Sequence, residues 1–142
     1  MVTGKALDDR GGCAVLIEAL RHMKDVKATV HAVFTVQEEV GLKGGKTSAF
    51  GLDPDVVLVS EVTFAGDHPG IEKKDSALEI GKGPAITVSD SEGRAAGQTD
   101  ASIIHLSGEG IPTGIISTPS RYIHTPVTVP EQIPNSRLHS IT

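Results

Sequence analysis

The chain has 142 residues, of which 38% are hydrophobic and 22% charged, and its formal net charge at pH 7 is -5. This length predicts a single domain with a real core, and the acidic charge disfavours nucleic acids and anionic membranes as partners. No apolar run is long enough for a membrane span, the N-terminus has no signal pattern, and 3% aromatic content argues against a stacking surface for sugars or bases.

The first predicted element is a helix over Gly11–Met23, where apolar residues recur at helical spacing behind an acidic start. It contains the single cysteine, Cys13, among apolar neighbours, which predicts a buried and unpaired thiol. One free thiol without a disulfide framework favours the cytoplasm as the location of the protein.

The following elements are predicted to alternate between strand and helix. A β-branched apolar run predicts a buried strand over Lys27–Val36, and Thr47 is expected to cap a short helical turn that ends at Phe50. Val56–Val59 predicts a second buried strand, ending in Ser60-Glu61.

The later part of the chain continues this alternation. It predicts extended segments over Leu78–Val88, a short helix over Thr99–Leu106 capped by Thr99 or Asp100, and a third apolar strand over Gly114–Thr118. Strands that alternate with helices predict an α/β fold with a largely parallel sheet covered by helices.

The most informative feature is the acidic pair Glu38-Glu39, which directly follows the apolar run that ends at Val36. Sites in open α/β folds form at the carboxyl ends of strands, and neighbouring side chains there point in different directions. One carboxylate could therefore bind a cation while the other handles a proton. The alternative is a solvated loop with two acids, and the second acidic pair, Asp8-Asp9 before the first helix, favours the functional interpretation.

Ionisable side chains recur beside predicted elements at Asp8, Glu38-Glu39, Glu61 and His124. If these positions converge at one sheet edge, three or four carboxylates and one imidazole form a donor set suited to Zn²⁺, Co²⁺ or Mn²⁺. The alternative is a set of unrelated surface residues, and a lone histidine such as His124 is more often an ordinary surface residue than a ligand.

Six segments carry a resemblance to a known family: ALDDRGG, TVQEEVGLKGG, SEVTFAGDHPG, GKGPAI, GQTDAS and GIPTGIISTPSRYIHTP. In this order they resemble the catalytic domain of the tetrahedral and glutamyl-type aminopeptidases, which are dinuclear metallopeptidases. Some members carry an older endoglucanase or cellulase label. The resemblance runs from Gly4 to Val127 and implies a zinc-peptidase-like three-layer α/β fold. It also implies removal of N-terminal residues from peptides through a metal-activated water.

The resemblance implies a role for each candidate residue. Asp8 resembles the carboxylate that bridges two metal ions, and Glu38 resembles the general base that takes a proton from the activated water. Glu39 and His124 resemble the ligands that complete one metal site with Asp8, whereas Glu61 resembles a ligand of the other ion. The family binds two divalent ions, for which zinc or cobalt is expected.

Further residues are expected around this centre. Asp9 and Arg10 are expected to support the metal ligands, and the substrate side of the pocket is expected to include Lys82, Thr99 and Asp100.

Three departures from the family pattern predict a truncated catalytic domain. The family's earlier half, which holds a histidine for the Glu61 ion, has no counterpart before Asp8, and the connection at Asp90–Ala96 is short. The tail over Pro130–Thr142 does not resemble the family. We therefore expect residues 1–129 to form a partial metallopeptidase domain, residues 130–142 to form a tail of unclear origin, and only one ion to bind well.

Two other function classes stay open at this point. A carbohydrate hydrolase would also use paired carboxylates, although these must face each other across a sugar. A non-catalytic fragment would keep the fold without holding two metal ions. The family acts on peptides as homo-oligomers. This chain is expected to expose apolar strands, to self-associate or to be poorly stable, and not to form the family's tetrahedral dodecamer.

Overall fold

The computed structural model of the chain describes residues 3–72, 76–87 and 98–130. The helices in these ranges are α1 (Leu7–His22), α2 (Lys43–Leu52) and α3 (Ala101–Ile104). The strands are β1 (Val57–Phe64), β2 (Ala85–Thr87), β3 (Thr113–Arg121) and β4 (Val129–Pro130). Their order in the sheet is β1-β3-β2, and β4 pairs with β3 in antiparallel orientation. The fold is α/β with a mixed, mostly parallel sheet, which confirms the predicted fold class.

The chain divides into two compact units, each with its own interior. The first unit comprises Met1–Thr29, Ser60–Ala85 and Ser117–Thr142, and the second comprises Val30–Val59 and Ile86–Ile116. Buried hydroxyl side chains are a feature of the first unit: Ser117, Thr118, Ser120 and Thr128. The second unit has an apolar core of Ala49, Ile104 and Ile111, against which Val57, Val59 and Ile103 pack.

Helix α1 confirms the first predicted helix, and its start explains the acidic pair in front of it. Asp8 and Asp9 have non-helical backbone angles, with ψ of 105° and 50°. The Asp9 carboxylate accepts a hydrogen bond from the Gly12 amide at 2.9 Å, so Asp9 caps the regular part of the helix. Cys13 is a free thiol but is only partly buried, whereas the sequence predicted full burial.

The predicted strand over Lys27–Val36 is wrong in this structure. The segment contains no strand, and its apolar side chains are exposed, with 37% of Val33 and 67% of Val36 accessible to solvent. β-Branched residues form a strand only where a neighbouring strand completes the hydrogen bonds and another layer buries one face. Within the described ranges, no strand pairs with this segment, which explains why its sequence preference is not realised.

Helix α2 begins earlier than the sequence predicted, and Thr47 lies in its interior rather than at its cap. The Thr47 hydroxyl donates a hydrogen bond to the Lys43 carbonyl at 2.9 Å, and the N-cap is Leu42. Two glycines, Gly44 and Gly45, hid this start because glycine is a poor helix former. Gly44 allows a close approach of the backbone of Val36: its amide donates to the Val36 carbonyl at 3.0 Å, and a Cβ atom at this position would overlap the Val36 backbone.

Gly45 and Gly51 are two glycines of α2 with opposite surroundings, which gives a matched stability prediction. A Cβ atom at Gly45 would lie 2.6 Å from Cγ and Oδ1 of Asp100, a residue that is only 5% exposed. No atom lies within 4 Å of a Cβ at Gly51. We expect Gly45→Ala to lower the free energy of unfolding by about 1–3 kcal/mol, and Gly51→Ala to raise it by about 0.5–1 kcal/mol. Urea unfolding of the two variants checks this, and equal midpoints would contradict it.

The later elements match the sequence but differ from it in extent. Strand β1 continues to Phe64, so that Glu61 lies inside the strand rather than at its end. The strands expose apolar side chains, as the sequence predicted, with 71% of Leu58 and 44% of Ile116 accessible to solvent. Helix α3 is shorter than predicted and has Asp100 at its N-cap.

Some predicted features lie outside the described residues, namely the short connection at Asp90–Ala96 and the tail after Pro130. Across the described ranges, none of the helices combines the length and the apolar character needed to cross a membrane.

Candidate metal centre

Asp8 and His124 come together in the first unit. The His124 Nε2 atom lies 3.5 Å from Asp8 Oδ2, and the Asp8 side chain is 15% exposed whereas that of His124 is 62% exposed. Asp8 precedes the regular part of α1, and His124 follows the end of β3 with a left-handed φ of 60°. The Phe64 ring packs edge-on against the imidazole, with ring centroids 6.2 Å apart.

The separation of these two groups fits two ligands of one ion. Ligand atoms about 2.1 Å from a tetrahedral Zn²⁺ ion lie about 3.4 Å from each other. Carboxylate and imidazole are donors that divalent transition metals accept together. The donor types and their spacing in the first unit are therefore those of half of a metal site.

Glu61 also belongs to the first unit but has a different environment. It is 8% exposed in β1, and its Oε1 atom accepts a hydrogen bond from the Val62 amide at 3.0 Å. Burial raises the pKa of the Cys13 thiol, and the charges of Asp9 and Glu61 add to this effect. In the described part of the chain, Glu61 does not join Asp8 and His124 in a group of three closely spaced ligand atoms.

Glu38 and Glu39 lie in the second unit, in the turn that leads into α2. The Glu38 carbonyl accepts hydrogen bonds from the amides of Gly41 at 3.2 Å and Leu42 at 3.0 Å. Gln37 and Leu42, on either side of the turn, have left-handed φ angles of 59° and 54°. Such strained positions in non-glycine residues concentrate at functional sites. Glu38 is partly buried and Glu39 is exposed, so the two carboxylates have different surroundings, as separate roles require.

The other expected residues have varied environments. Arg10 and Lys82 are exposed, and Thr99 Oγ1 accepts a hydrogen bond from the Ala101 amide at 3.3 Å. Asp100 is buried, and its Oδ1 atom has no hydrogen-bond partner among the described residues. Their expected roles beside the ligands or the substrate stay predictions.

An ion pair that the sequence did not indicate joins Asp67 to Arg121. The guanidinium donates from Nε to Oδ1 at 2.9 Å and from a terminal nitrogen to Oδ2 at 2.6 Å. The two residues are 54 positions apart, so no local spacing could have predicted the pair. The hydrogen bonds from Arg121 lower the pKa of Asp67 from 3.8 to about 2, although partial burial acts in the opposite direction.

This lowered pKa predicts how stability depends on pH. Because the Asp67 pKa is lower in the folded than in the unfolded chain, its contribution is complete above the unfolded pKa and is lost as the pH falls through the folded value. We expect the stability difference between wild type and Asp67→Asn to shrink as the pH falls from about 4 to about 2. Denaturant unfolding across this range measures it, and a constant difference would contradict the assignment.

The carboxylate–imidazole pair of the first unit and the Glu-Glu turn of the second therefore belong to one α/β chain. The family profile described as M42 glutamyl aminopeptidase matches residues 1–96 and 92–132. The chain belongs to this family of aminopeptidases, as its sequence motifs indicated.

Individual relatives agree with this membership. A curated relative from Acetivibrio thermocellus, provisionally named an aminopeptidase, is 40% identical over 151 residues, which is 89% of this chain and 45% of the relative. The aminopeptidase structure from Desulfurococcus kamchatkensis has a TM-score of 0.82 at 42% identity, covering 90% of this chain and 44% of that one. The chain thus spans under half the length of these relatives.

Two more distant structures carry information on assembly and naming. The Pyrococcus horikoshii TET1 peptidase, described as forming a tetrahedron or a large octahedral shell, has a TM-score of 0.65 at 28% identity over 90% of this chain and 44% of that one. A Thermotoga maritima structure titled endoglucanase has a TM-score of 0.61 at 34% identity over 89% of this chain and 43% of that one. Both the peptidase and the endoglucanase labels therefore occur on similar folds.

Proposed function

We propose that this chain carries the metal site and the general base of a metal-dependent aminopeptidase. In this proposal Asp8, Glu39 and His124 hold one divalent ion, zinc or cobalt, and Glu38 is the general base. The observation that carries it is the approach of His124 Nε2 to Asp8 Oδ2 at 3.5 Å. Membership of the M42 family and the chemistry of the donor set support it further.

Each side chain has a distinct task in this proposal. A divalent ion held by these residues would supply Lewis-acid activation of water and of the scissile carbonyl. Glu38 accepts the proton that water loses and passes it to the amine of the leaving peptide. Asp8 would contribute its carboxylate to both positions of a two-ion centre, and Glu61 would be the carboxylate of the second, weaker position.

The partners and the location follow from the same proposal. Peptides with a free N-terminus are the substrates, and the protein acts in the cytoplasm, which is favoured by the free thiol of Cys13. Homo-oligomers are the proposed state of the whole protein, supported by the shells described for the TET1 peptidase.

Hydrolysis assays with and without a chelator test this function. We expect release of N-terminal residues from peptides, loss of this activity with the chelator, and recovery on adding Zn²⁺ or Co²⁺. Cellodextrin hydrolysis instead would favour the carbohydrate hydrolase. Metal binding without hydrolysis of either substrate would favour the non-catalytic fragment, and peptide hydrolysis that resists the chelator would contradict the metal mechanism.

A further inference from the structure

The segment that carries His124 is held in an unfavourable backbone conformation. Directly after β3, Tyr122 and His124 have left-handed φ angles of 56° and 60°, a region that disfavours side chains other than glycine. The Thr125 hydroxyl donates to the Tyr122 carbonyl at 2.6 Å and so closes the turn locally. Because both partners of this bond lie within the turn, the bond does not fix how the turn is oriented relative to β3.

A second segment, residues 65–69, contacts the end of β3 and this turn through hydrogen bonds and a ring contact. The Ala65 amide donates to the Ser120 carbonyl at 2.9 Å, and Asp67 accepts two hydrogen bonds from Arg121. The His68 ring lies 4.9 Å from the Tyr122 ring at an angle of 49°. Three consecutive residues, Ser120, Arg121 and Tyr122, thus each contact the second segment, and the last of them lies two positions before His124.

A third hydrogen bond, from outside the turn, also holds the Asp67 carboxylate. Its Oδ2 atom accepts a hydrogen bond from the Ile80 amide at 3.1 Å, in addition to the bond from Arg121. The Arg121 and Asp67 side chains are 26% and 19% exposed, so solvent screens the pair only in part. A bidentate guanidinium–carboxylate pair fixes orientation as well as distance, which a lysine in place of the arginine cannot do.

We propose that the Asp67–Arg121 pair is a positioning device that holds the turn after β3 so that the His124 imidazole faces Asp8. The inference rests on the proposed function, in which His124 is a metal ligand. It adds to that function because two residues that do not bind the metal, Asp67 and Arg121, determine where the His124 ligand is placed. An ion pair that only stabilises the fold would instead leave metal affinity unchanged when it is weakened.

Zinc affinity of Arg121→Lys and Asp67→Asn, measured by competition with a chromophoric chelator, tests the proposal. We expect the Kd for Zn²⁺ to rise about tenfold in each variant, which is the lower end of the range for residues that orient metal ligands. Arg21→Lys is the matched control, because the exposed Arg21–Glu18 pair at 3.1 Å lies on α1 and should leave the Kd unchanged. The NMR signals of the metal-free His124 ring should shift in the first two variants and stay in place in the control.

Thermal unfolding of the same samples separates positioning from stability. Arg121→Lys keeps the charge, so a folded protein with weakened zinc binding supports positioning. A lowered midpoint of unfolding with an unchanged Kd and an unmoved His124 signal would overturn it. The His124→Ala variant distinguishes failure of the proposed function from failure of the positioning role alone. If this variant binds Zn²⁺ as well as wild type, the proposed function fails together with the inference. If it loses binding while the Asp67 and Arg121 variants keep it, the positioning role alone fails.

Discussion

Replacing Glu38 by Gln should remove most peptide hydrolysis and leave metal binding intact. The amide is similar in size to the carboxylate but cannot accept a proton, so we expect kcat to fall by about 10²- to 10⁴-fold. Glu39→Gln is the matched variant, because it changes the neighbouring residue of the same turn in the same way. It should weaken metal binding instead, since it replaces an anionic ligand with a neutral one.

Turnover of a peptide substrate together with metal content separates these two outcomes. The assignment predicts that Glu38→Gln keeps the metal and loses the rate, whereas Glu39→Gln recovers part of its rate at high metal concentration. A rate for Glu38→Gln within a few-fold of wild type would show that another group acts as the base. The metal content alone already tests the division of roles between the two residues.

Replacing His124 by Ala should have the largest effect on metal affinity. Residues that only orient ligands alter affinity by about 10- to 100-fold, so the loss of a ligand itself should exceed about 100-fold. The exposed His31 provides a control, because it lies in the Val30–Val36 segment and has no role in the proposed site. We expect the Kd for Zn²⁺ of His31→Ala to equal that of wild type. Similar effects of the two substitutions would indicate nonspecific binding to histidines.

The sequence predicted most of the fold because its signals were local. The apolar period over Gly11–Met23 and the strand at Gly114–Thr118 each correspond to an observed element, α1 and β3. The Lys27–Val36 strand failed because strand formation depends on a neighbour that local sequence does not specify. The predicted start of α2 was wrong because Gly44 and Gly45 have a low helix preference, and only the folded chain shows that close packing requires glycine there.

Part of the candidate site could be predicted from the sequence. Asp8 and His124 were expected together from ordered motifs, and the structure places them 3.5 Å apart. Glu61 was expected at a strand end but lies within β1, because the strand continues through Phe64. The Asp67–Arg121 pair could not be predicted, since only the folded chain brings residues 54 positions apart into contact.

The number of metal ions that each chain binds tightly is the most direct test of the proposed site. Elemental analysis after dialysis against Zn²⁺ or Co²⁺ measures it, with an Asp8→Asn, His124→Ala double variant as the blank. We predict one tightly bound ion per wild-type chain and none in the double variant, with any second ion lost on dialysis. A wild-type chain that retains no more metal than the double variant, or one that retains two ions, would contradict this account.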